Sequence, residues 1–436
     1  MKIRFISACI VMLLLVGLLA SCGEIKDPLP ETIQPSASDA GPEEETEPTV
    51  YSLATRMPST CFYKGYLYPY NTNYVIPTVS GIRTFMKYDL KTGAESPVCM
   101  DPMCEHDLFQ LYKTETSCPF GYGAKPFAIK DDTVYFTTEI DEAAKERYNE
   151  RKAYSYNMKN MRLIYLFSYF DGVFGNDVLN MIGGKIFYTD YDVHDDLSVD
   201  RYFCVYDLSN AKSERLFRFN SFENPDTGWI DQIKTETDLS PMFVNGECEA
   251  FFHTKTAVFS AKAKKDAEIV KIADLGSYGL ELNQGFWRDG KLYFITKRSS
   301  ESANRIISVD CASGKTEIIA DNAVYNFTVS GDLLCYWLFN PIELPGGFTI
   351  LSHSIVVLDL VNGTSQTVDF GYENGFNYTL DDMFLYNGKV YLLNAGRFVM
   401  KDGAVDDSVM TTSTIVFDLD NSTWNVLYES LSSLAD

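Results

Sequence analysis

From residue 61 onward, apolar and polar positions alternate in short runs broken by turn residues, and two signatures recur in alternation. The first is a turn dipeptide followed by an aromatic strand: Lys64-Gly65-Tyr66-Leu67-Tyr68, Asp131-Asp132-Thr133-Val134-Tyr135-Phe136 and Gly183-Gly184-Lys185-Ile186-Phe187-Tyr188. It returns at Asn245-Gly246, Asp289-Gly290, Ser330-Gly331 and Asn387-Gly388. Dipeptides of this kind between apolar runs mark two-residue hairpins, whose central residues take positive φ. The second signature is a strand ending on an aspartate turn: Tyr88-Asp89-Leu90-Lys91-Thr92-Gly93, Tyr206-Asp207-Leu208, Val309-Asp310-Cys311, Leu358-Asp359-Leu360 and Phe417-Asp418-Leu419. Degenerate copies sit at Tyr156-Asn157-Met158 and Phe259-Ser260-Ala261. The carboxylate in such a turn caps its own backbone.

Each unit therefore runs strand, tight turn, strand, longer connection, strand, tight turn, strand. Seven copies fill residues 51–436, at about 55 residues apiece, the size of a four-stranded propeller blade carrying insertions. The predicted fold class is all-β, a β-propeller of seven four-stranded blades. Six or eight blades fit the same spacing, because the second and fourth units are weak. A pair of β-sandwiches is the rival fold, and like-spaced copies argue against it. In an antiparallel blade the first and third turns share one end, while the second turn and the crossing to the next blade share the other. The first kind are short. The second kind are long: 71–82, 99–125, 139–153, 190–200, 221–241, 338–352, 371–380 and 396–412. Sequence variety thus gathers at one face, where function on rigid scaffolds concentrates. The segment Glu139–Lys152 has the composition of a charged, solvated helix inserted between strands.

The first 50 residues have a different character. Lys2 and Arg4 precede an apolar run, Ile10–Leu19, which is too short to span a bilayer and fits a secretory signal. Leu19-Ala20-Ser21-Cys22 then has the form of a bacterial lipobox, with Cys22 as the lipidated residue. Residues 1–21 are read as the signal peptide, 22–50 as the lipidated cysteine with an acidic disordered tether, and 51–436 as the propeller domain. The tether stretch 23–50 holds eight acids, one lysine and five prolines, too little apolar surface to offset the entropy of ordering. The expected address is the cell surface, outside the cytoplasm, with the membrane contacted through the N-terminal lipid.

Charge sharpens the picture. The chain of 436 residues carries 37 Lys+Arg against 60 Asp+Glu, a net charge of −23, which becomes −25 once Lys2 and Arg4 leave with the signal. A surface of this sign repels a phosphate backbone, so no nucleic-acid partner is expected. Aromatic content of 14% excludes disorder over most of the length.

The lipobox, the Gly-Lys-x-Tyr strands and Cys99-Met100-Asp101-Pro102-Met103-Cys104-Glu105-His106 together resemble cell-surface lipoproteins of clostridial-type bacteria. The propeller of those proteins is akin to domain of unknown function 5050 and distantly like TolB-type repeats. The resemblance implies a fold and an address, and no catalytic residues.

Three groups of side chains carry candidate chemistry. Cys99, Cys104, His106 and Cys118 are spaced C-x4-C-x-H-x11-C in the connection after the first blade. Three thiolates and an imidazole make a tetrahedral set for structural zinc. In an exported chain a disulfide, for example Cys104–Cys118, or free thiols fit equally. In either bonded form the role is to pin a long loop. The second group mixes acids and aromatics on the variable face: Tyr191, Asp192, Asp195, Trp229, Asp231, Trp337, Tyr372 and Tyr378. Rings cover the C–H faces of sugars while carboxylates bond their hydroxyls, so a glycan ligand fits, as does a peptide or protein partner. Paired loop carboxylates also allow the alternative of a polysaccharide-active hydrolase or lyase. Third, Asp190, Asp192, Asp195 and Asp196 lack the regular Asp-x-Asp-x-Asp-Gly loop, so calcium is not expected. Gly314-Lys315-Thr316 ends like a phosphate loop, but Val309 stands where its first glycine belongs. Four histidines offer little material for a catalytic triad. The remaining mature cysteines, Cys61, Cys204, Cys248, Cys311 and Cys335, fall in or beside strands and read as buried thiols. The function these residues support is a binding or interaction module; an enzyme is the less favoured reading.

Overall fold

In the computed structural model the protein is all-β, with no α-helix among the described residues. Those residues are 51–52, 62–68, 85–92, 94–104, 118–121, 124–138, 149–171, 178–195, 198–222, 239–254, 256–276, 280–296, 304–343, 349–370, 383–401 and 404–433. The signal peptide, Cys22 and the tether lie outside them.

A ring of antiparallel sheets forms a β-propeller. The first blade comprises Phe62–Tyr63, Tyr66–Leu67, Met86–Asp89 and Glu95–Pro97; the second Lys125–Lys130, Thr133–Thr137, Asn149–Asn157 and Arg162–Asp171. The third is built from Val178–Ile182, Lys185–Val193, Val199–Asp207 and Lys212–Phe222; the fourth from Ser240–Val244, Glu249–His253, Ala257–Lys262 and Val270–Asp274. The last contains Met383–Tyr386, Lys389–Lys401, Ala404–Asp418 and Thr423–Ser433. Within each, strands pair in chain order. Between the fourth and last blades runs one eight-stranded sheet over Leu280–Arg288, Lys291–Thr296, Asn304–Asp310, Thr316–Ser330, Leu333–Leu338, Ser354–Asp359 and Ser365–Asp369. Its eighth strand is Tyr51–Ser52, which pairs on the free edge of Leu280–Arg288 (Tyr51↔Trp287, Ser52↔Phe286) beside Ser240–Val244.

Among the described residues five four-stranded blades are therefore present, not the seven expected. The physical reason is strand Thr316–Ser330. It runs 15 residues without a turn, pairing with Asn304–Asp310 through its first half and with Leu333–Leu338 through its second. Hydrogen bonding thus continues across what the repeat marks as a boundary. The sheet instead bends, so that Tyr293, Ile295 and Ile306 pack against Phe327, Val329 and Leu334.

The tight turns form as their residues dictate. Lys64 and Gly65 have φ of 49° and 78°, Asp289 and Gly290 46° and 75°, and Asn387 and Gly388 48° and 66°. Two successive positive φ values match the right-handed twist of a hairpin. The aspartates cap as expected. The Lys91 and Thr92 N–H groups donate to Asp89 Oδ1 at 2.8 and 2.9 Å, and those of Val361 and Asn362 to Asp359 Oδ1 at 2.8 and 2.9 Å. Asn157, Asp207, Asp310 and Asp418 repeat the arrangement. A further bond ties the two turns of each unit together, as from Leu90 N–H to Gly65 O (2.9 Å) and from Leu419 N–H to Gly388 O (3.0 Å). Both kinds of turn therefore share one end of the ring.

Blades are covered on both faces, so successive residues of one strand enter different cores. Phe203 packs with Phe217 and with Phe252 of the fourth blade, while its neighbour Cys204 and then Tyr206 join Phe167 of the second. Asn180 bridges the first strands of the third and fourth blades. Its amide donates to Val244 O (2.7 Å) and its oxygen accepts from Val244 N–H (3.0 Å). The seam between first and last blades is aromatic: Phe62 stacks on Tyr386 at 4.3 Å and 6°, and meets Phe384 and Tyr391 at 6.1 and 5.6 Å.

Several expected loops have regular structure. Strand pairing runs through 190–193 to Val193↔Val199 and joins Ile342–Glu343 to Thr349–Ile350. The stretch 396–412 belongs to a hairpin paired from Gly396↔Thr412 to Lys401↔Ala404, with a register shift between Phe398 and Val399. The expected helix over Glu139–Lys152 gives way at its end to strand Asn149–Asn157, which pairs with Arg162–Asp171 from Asn149↔Asp171.

Candidate functional site

At the tight-turn end the carboxylates are committed to structure. Backbone N–H donors and neighbouring hydroxyl or amide groups hold Asp89, Asp207, Asp310, Asp359 and Asp418 below the usual carboxylate range. Asp132 goes further. Lys159 and Lys64 each approach it at 2.6 Å, the Tyr63 hydroxyl bonds it as well, and its pKa falls to about 2. This lock joins the first and second blades. Arg288 performs a similar task in the eight-stranded sheet, pairing with Asp332 and, at 3.1 Å, with Asp289.

The opposite end is assembled differently. In the third blade Arg215 donates to both oxygens of Asp192 (2.6 and 2.9 Å) and to Asp190 (2.8 Å), with its guanidinium over the Tyr202 ring at 4.5 Å. Nearby, buried Asp200 accepts from Arg218 at 3.3 Å and from the Tyr202 hydroxyl at 3.4 Å, and faces His194 at 3.2 Å. Arg201 lies over Tyr191 and Phe219, at 5.2 and 4.8 Å. Neither Asp200 nor the arginines were singled out from sequence. Their signal was present as Asp-x-Asp at 190–192 and Arg-x-x-Arg at 215–218, on strands only one strand apart.

The sequence-predicted ligand residues fall into four groups. Asp195 is exposed in the turn after Lys185–Val193, two residues beyond the strand end. Asp192 is half-buried in the Arg215 ion pair. Tyr191 and Trp337 are buried, at 3% and 5% exposure, and offer no open ring. Trp337 packs 5.8 Å from Phe370 in the core next to the last blade. The reason is general to this fold: an aromatic within a blade strand faces a neighbouring blade. Trp229, Asp231, Tyr372 and Tyr378 lie outside the described residues.

At the same end His353 gathers triad-like groups without triad geometry. Both Asp369 Oδ1 (2.8 Å) and Ser354 Oγ (3.3 Å) meet His353 Nδ1, while Nε2 faces the Asn340 amide at 3.0 Å. A relay needs carboxylate and hydroxyl on opposite nitrogens. His253 is buried, its Nδ1 3.2 Å from Thr254 O, and burial lowers its pKa to about 4.

The third feature is a thiol cluster in the core between the first two blades, where Cys99, Cys104 and Cys118 pack with Tyr68, Phe85, Phe120 and Tyr156. Their sulfurs all lie within 4.8 Å of one another. Cys99 follows strand Glu95–Pro97, and Asp101 caps the turn to Cys104 by accepting the Met103 N–H at 2.9 Å. Burial pushes the Cys99 and Cys118 thiols up, and the neighbouring thiol of Cys104 adds to the shift. His106 lies outside the described residues. Cys204 and Cys335 are buried and Cys248 and Cys311 half-buried, each apart from this group.

Among the described residues no helix is long and apolar enough to cross a membrane. No protein-family model and no curated protein matches the chain. Solved β-propellers resemble it in fold. TolB from Acinetobacter baumannii is 9% identical with a TM-score of 0.36; the match covers 65% of this chain and 59% of TolB's own length. The oligogalacturonate lyase of Vibrio parahaemolyticus is 8% identical, TM-score 0.44, over 79% of this chain and 87% of the lyase. The periplasmic gluconolactonase of Pseudomonas aeruginosa is 10% identical, TM-score 0.40, over 88% and 99%.

Proposed function

We propose that this chain is a lipid-anchored, extracytoplasmic β-propeller that binds a glycan, peptide or protein partner through the end of the ring carrying the long connections. One observation carries the reading: the two ends differ in what their polar groups do. At the tight-turn end the repeat aspartates are engaged by their own backbone. The other end bears the Asp195 turn and the hairpin that closes at Lys401↔Ala404. Ligand recognition on rigid scaffolds draws on such connections.

The test incubates residues 51–436 with fractionated cell-wall and dietary polysaccharides and scores both retention and released fragments. Retention without fragments supports a glycan-binding module, and Trp229→Ala or Asp195→Asn should then weaken it. Released fragments would replace the binding module with the polysaccharide-active enzyme. If neither retention nor fragments appear, a protein partner is the surviving form of the proposal. The anchor is tested separately, since Cys22→Ala should move the chain from the membrane fraction to the soluble one.

A further inference from the structure

Buried cysteines in a packed core ordinarily behave as small apolar side chains and need no sulfur neighbours. Cys204 and Cys335 do this. The three thiols after the first blade do not, since each sulfur lies within 4.8 Å of both others. Their donors come from three separate places along one connection: the end of strand Glu95–Pro97, the Asp101 turn, and the Cys118 turn, where Gly121 N–H donates to Cys118 O at 2.9 Å.

Polar groups of the two turns border the sulfurs. The Asp101 N–H is directed at Cys99 Sγ and the Phe120 N–H at Cys118 Sγ, two residues on in each case. Cys104 sits between, within hydrogen-bonding reach of both other sulfurs. The Tyr156 hydroxyl also reaches Cys99, and it accepts the Met100 N–H at 3.2 Å, fixing the turn that follows.

The spacing discriminates between a bond and a shared ion. A disulfide holds two sulfurs at about 2.05 Å and leaves the third without a partner. Thiolates about 2.3 Å from one tetrahedral ion stand about 3.8 Å from each other. Separations within 4.8 Å close to that value by less than about an ångström, which side-chain torsions supply. Three soft sulfur ligands in a closed, buried site select zinc among abundant divalent ions.

We propose that Cys99, Cys104 and Cys118 are three thiolate ligands of one structural Zn²⁺ ion that pins the connection between the first and second blades. On binding, each thiol releases its proton to solvent and forms one Zn–S bond. No electron transfer is involved, and one further ligand completes the tetrahedron. The ion takes the place of apolar packing at the core shared by Phe85, Phe120 and Phe136, and fixes both ends of segment 105–117. The inference is independent of what the long-connection end binds.

The experiment uses the full chain, purified without chelator or reductant. One zinc per chain by elemental mass spectrometry is expected, with the three cysteines protected from alkylation until chelator is added. Exchange with Co²⁺ should give the sulfur-to-cobalt charge-transfer absorption of a tetrahedral thiolate site. Cys118→Ser should abolish that absorption, while Cys311→Ala, at a half-buried thiol elsewhere, should leave it intact. The wild-type spectrum decides the matter even if Cys118→Ser fails to fold. A mapped Cys104–Cys118 or Cys99–Cys104 disulfide would overturn the proposal. So would free alkylation of all three thiols with no cobalt spectrum.

Discussion

Phe62→Ala removes the ring on which the first blade meets the last. Phe62 stacks on Tyr386, touches Phe384 and Tyr391, and stands beside Leu67, the one fully buried member of this small cluster. Among the described residues the first and last blades are each built from strands consecutive in the chain, so no exchanged strand holds this seam; side chains and a few polar contacts must. A fully buried Phe→Ala change costs about 3–5 kcal/mol, and Phe62 is half-buried, which brings the packing loss to about 2 kcal/mol. The stacked pair adds about 0.5–1.5 kcal/mol. The sum, about 3 kcal/mol, raises the seam's opening equilibrium on the order of 10²-fold. Native-state hydrogen exchange followed by mass spectrometry reads this directly. Amides of Phe62–Tyr63, Tyr66–Leu67 and Met383–Tyr386 should exchange faster by that factor, while those of Val199–Asp207 keep their protection. Phe203→Ala is the comparator: it should release the third and fourth blades and spare the seam. Unchanged exchange at Met383–Tyr386 in Phe62→Ala would refute the idea that this aromatic cluster closes the ring.

Three further outcomes follow from contacts described above. His253 stays neutral when folded down to about pH 4, whereas the unfolded histidine protonates below about 6.5. Its contribution is complete above pH 6.5 and is lost as pH falls toward 4, about 3 kcal/mol in all; denaturation midpoints of His253→Gln should lack this part of the acid-side decline. Asn180→Leu strips both partners from buried Val244, and two unsatisfied backbone groups at about 1–3 kcal/mol each should cost about 2–6 kcal/mol in chemical denaturation. Gly314→Ala places a Cβ 2.6 Å from Ile272 O at φ +71°, whereas Gly363→Ala has a similar φ of +67° and open space. Both incur about 1 kcal/mol of left-handed strain, and Gly314→Ala should lose more in thermal melting by the displacement of Ile272.

The repeat was legible because its signals are local. A turn dipeptide and an aspartate cap each act within about four residues, and Lys64-Gly65 and Asp89 behave in the fold as their chemistry requires. Blade number was not, because it depends on whether hydrogen bonding stops between units. Nothing in Asp321-Asn322 breaks strand Thr316–Ser330, so two expected units share one sheet. Contacts between blades were equally hidden: Asn180 meets Val244 across 64 residues, and Phe62 meets Phe384 from the far end of the domain. The cysteine spacing put the three thiols on one connection, and only the fold shows that their sulfurs converge. Tyr191 and Trp337 were misjudged for one reason. A strand with a neighbour on each face leaves few aromatic rings in water, so ring-plus-acid composition does not by itself mark a sugar platform.

The pairing of Tyr51–Ser52 with Leu280–Arg288 also sets how the domain carries mechanical load. A pull on the chain upstream of residue 51 does not arrive at the first blade. It is delivered to the eight-stranded sheet, more than halfway along the polypeptide, through a two-residue ladder. That ladder must part before tension reaches Phe62 and the seam beside it. Under such a pull the joint would act as a fuse: while it holds, the part of the ring with the shortest strands is kept out of the line of force.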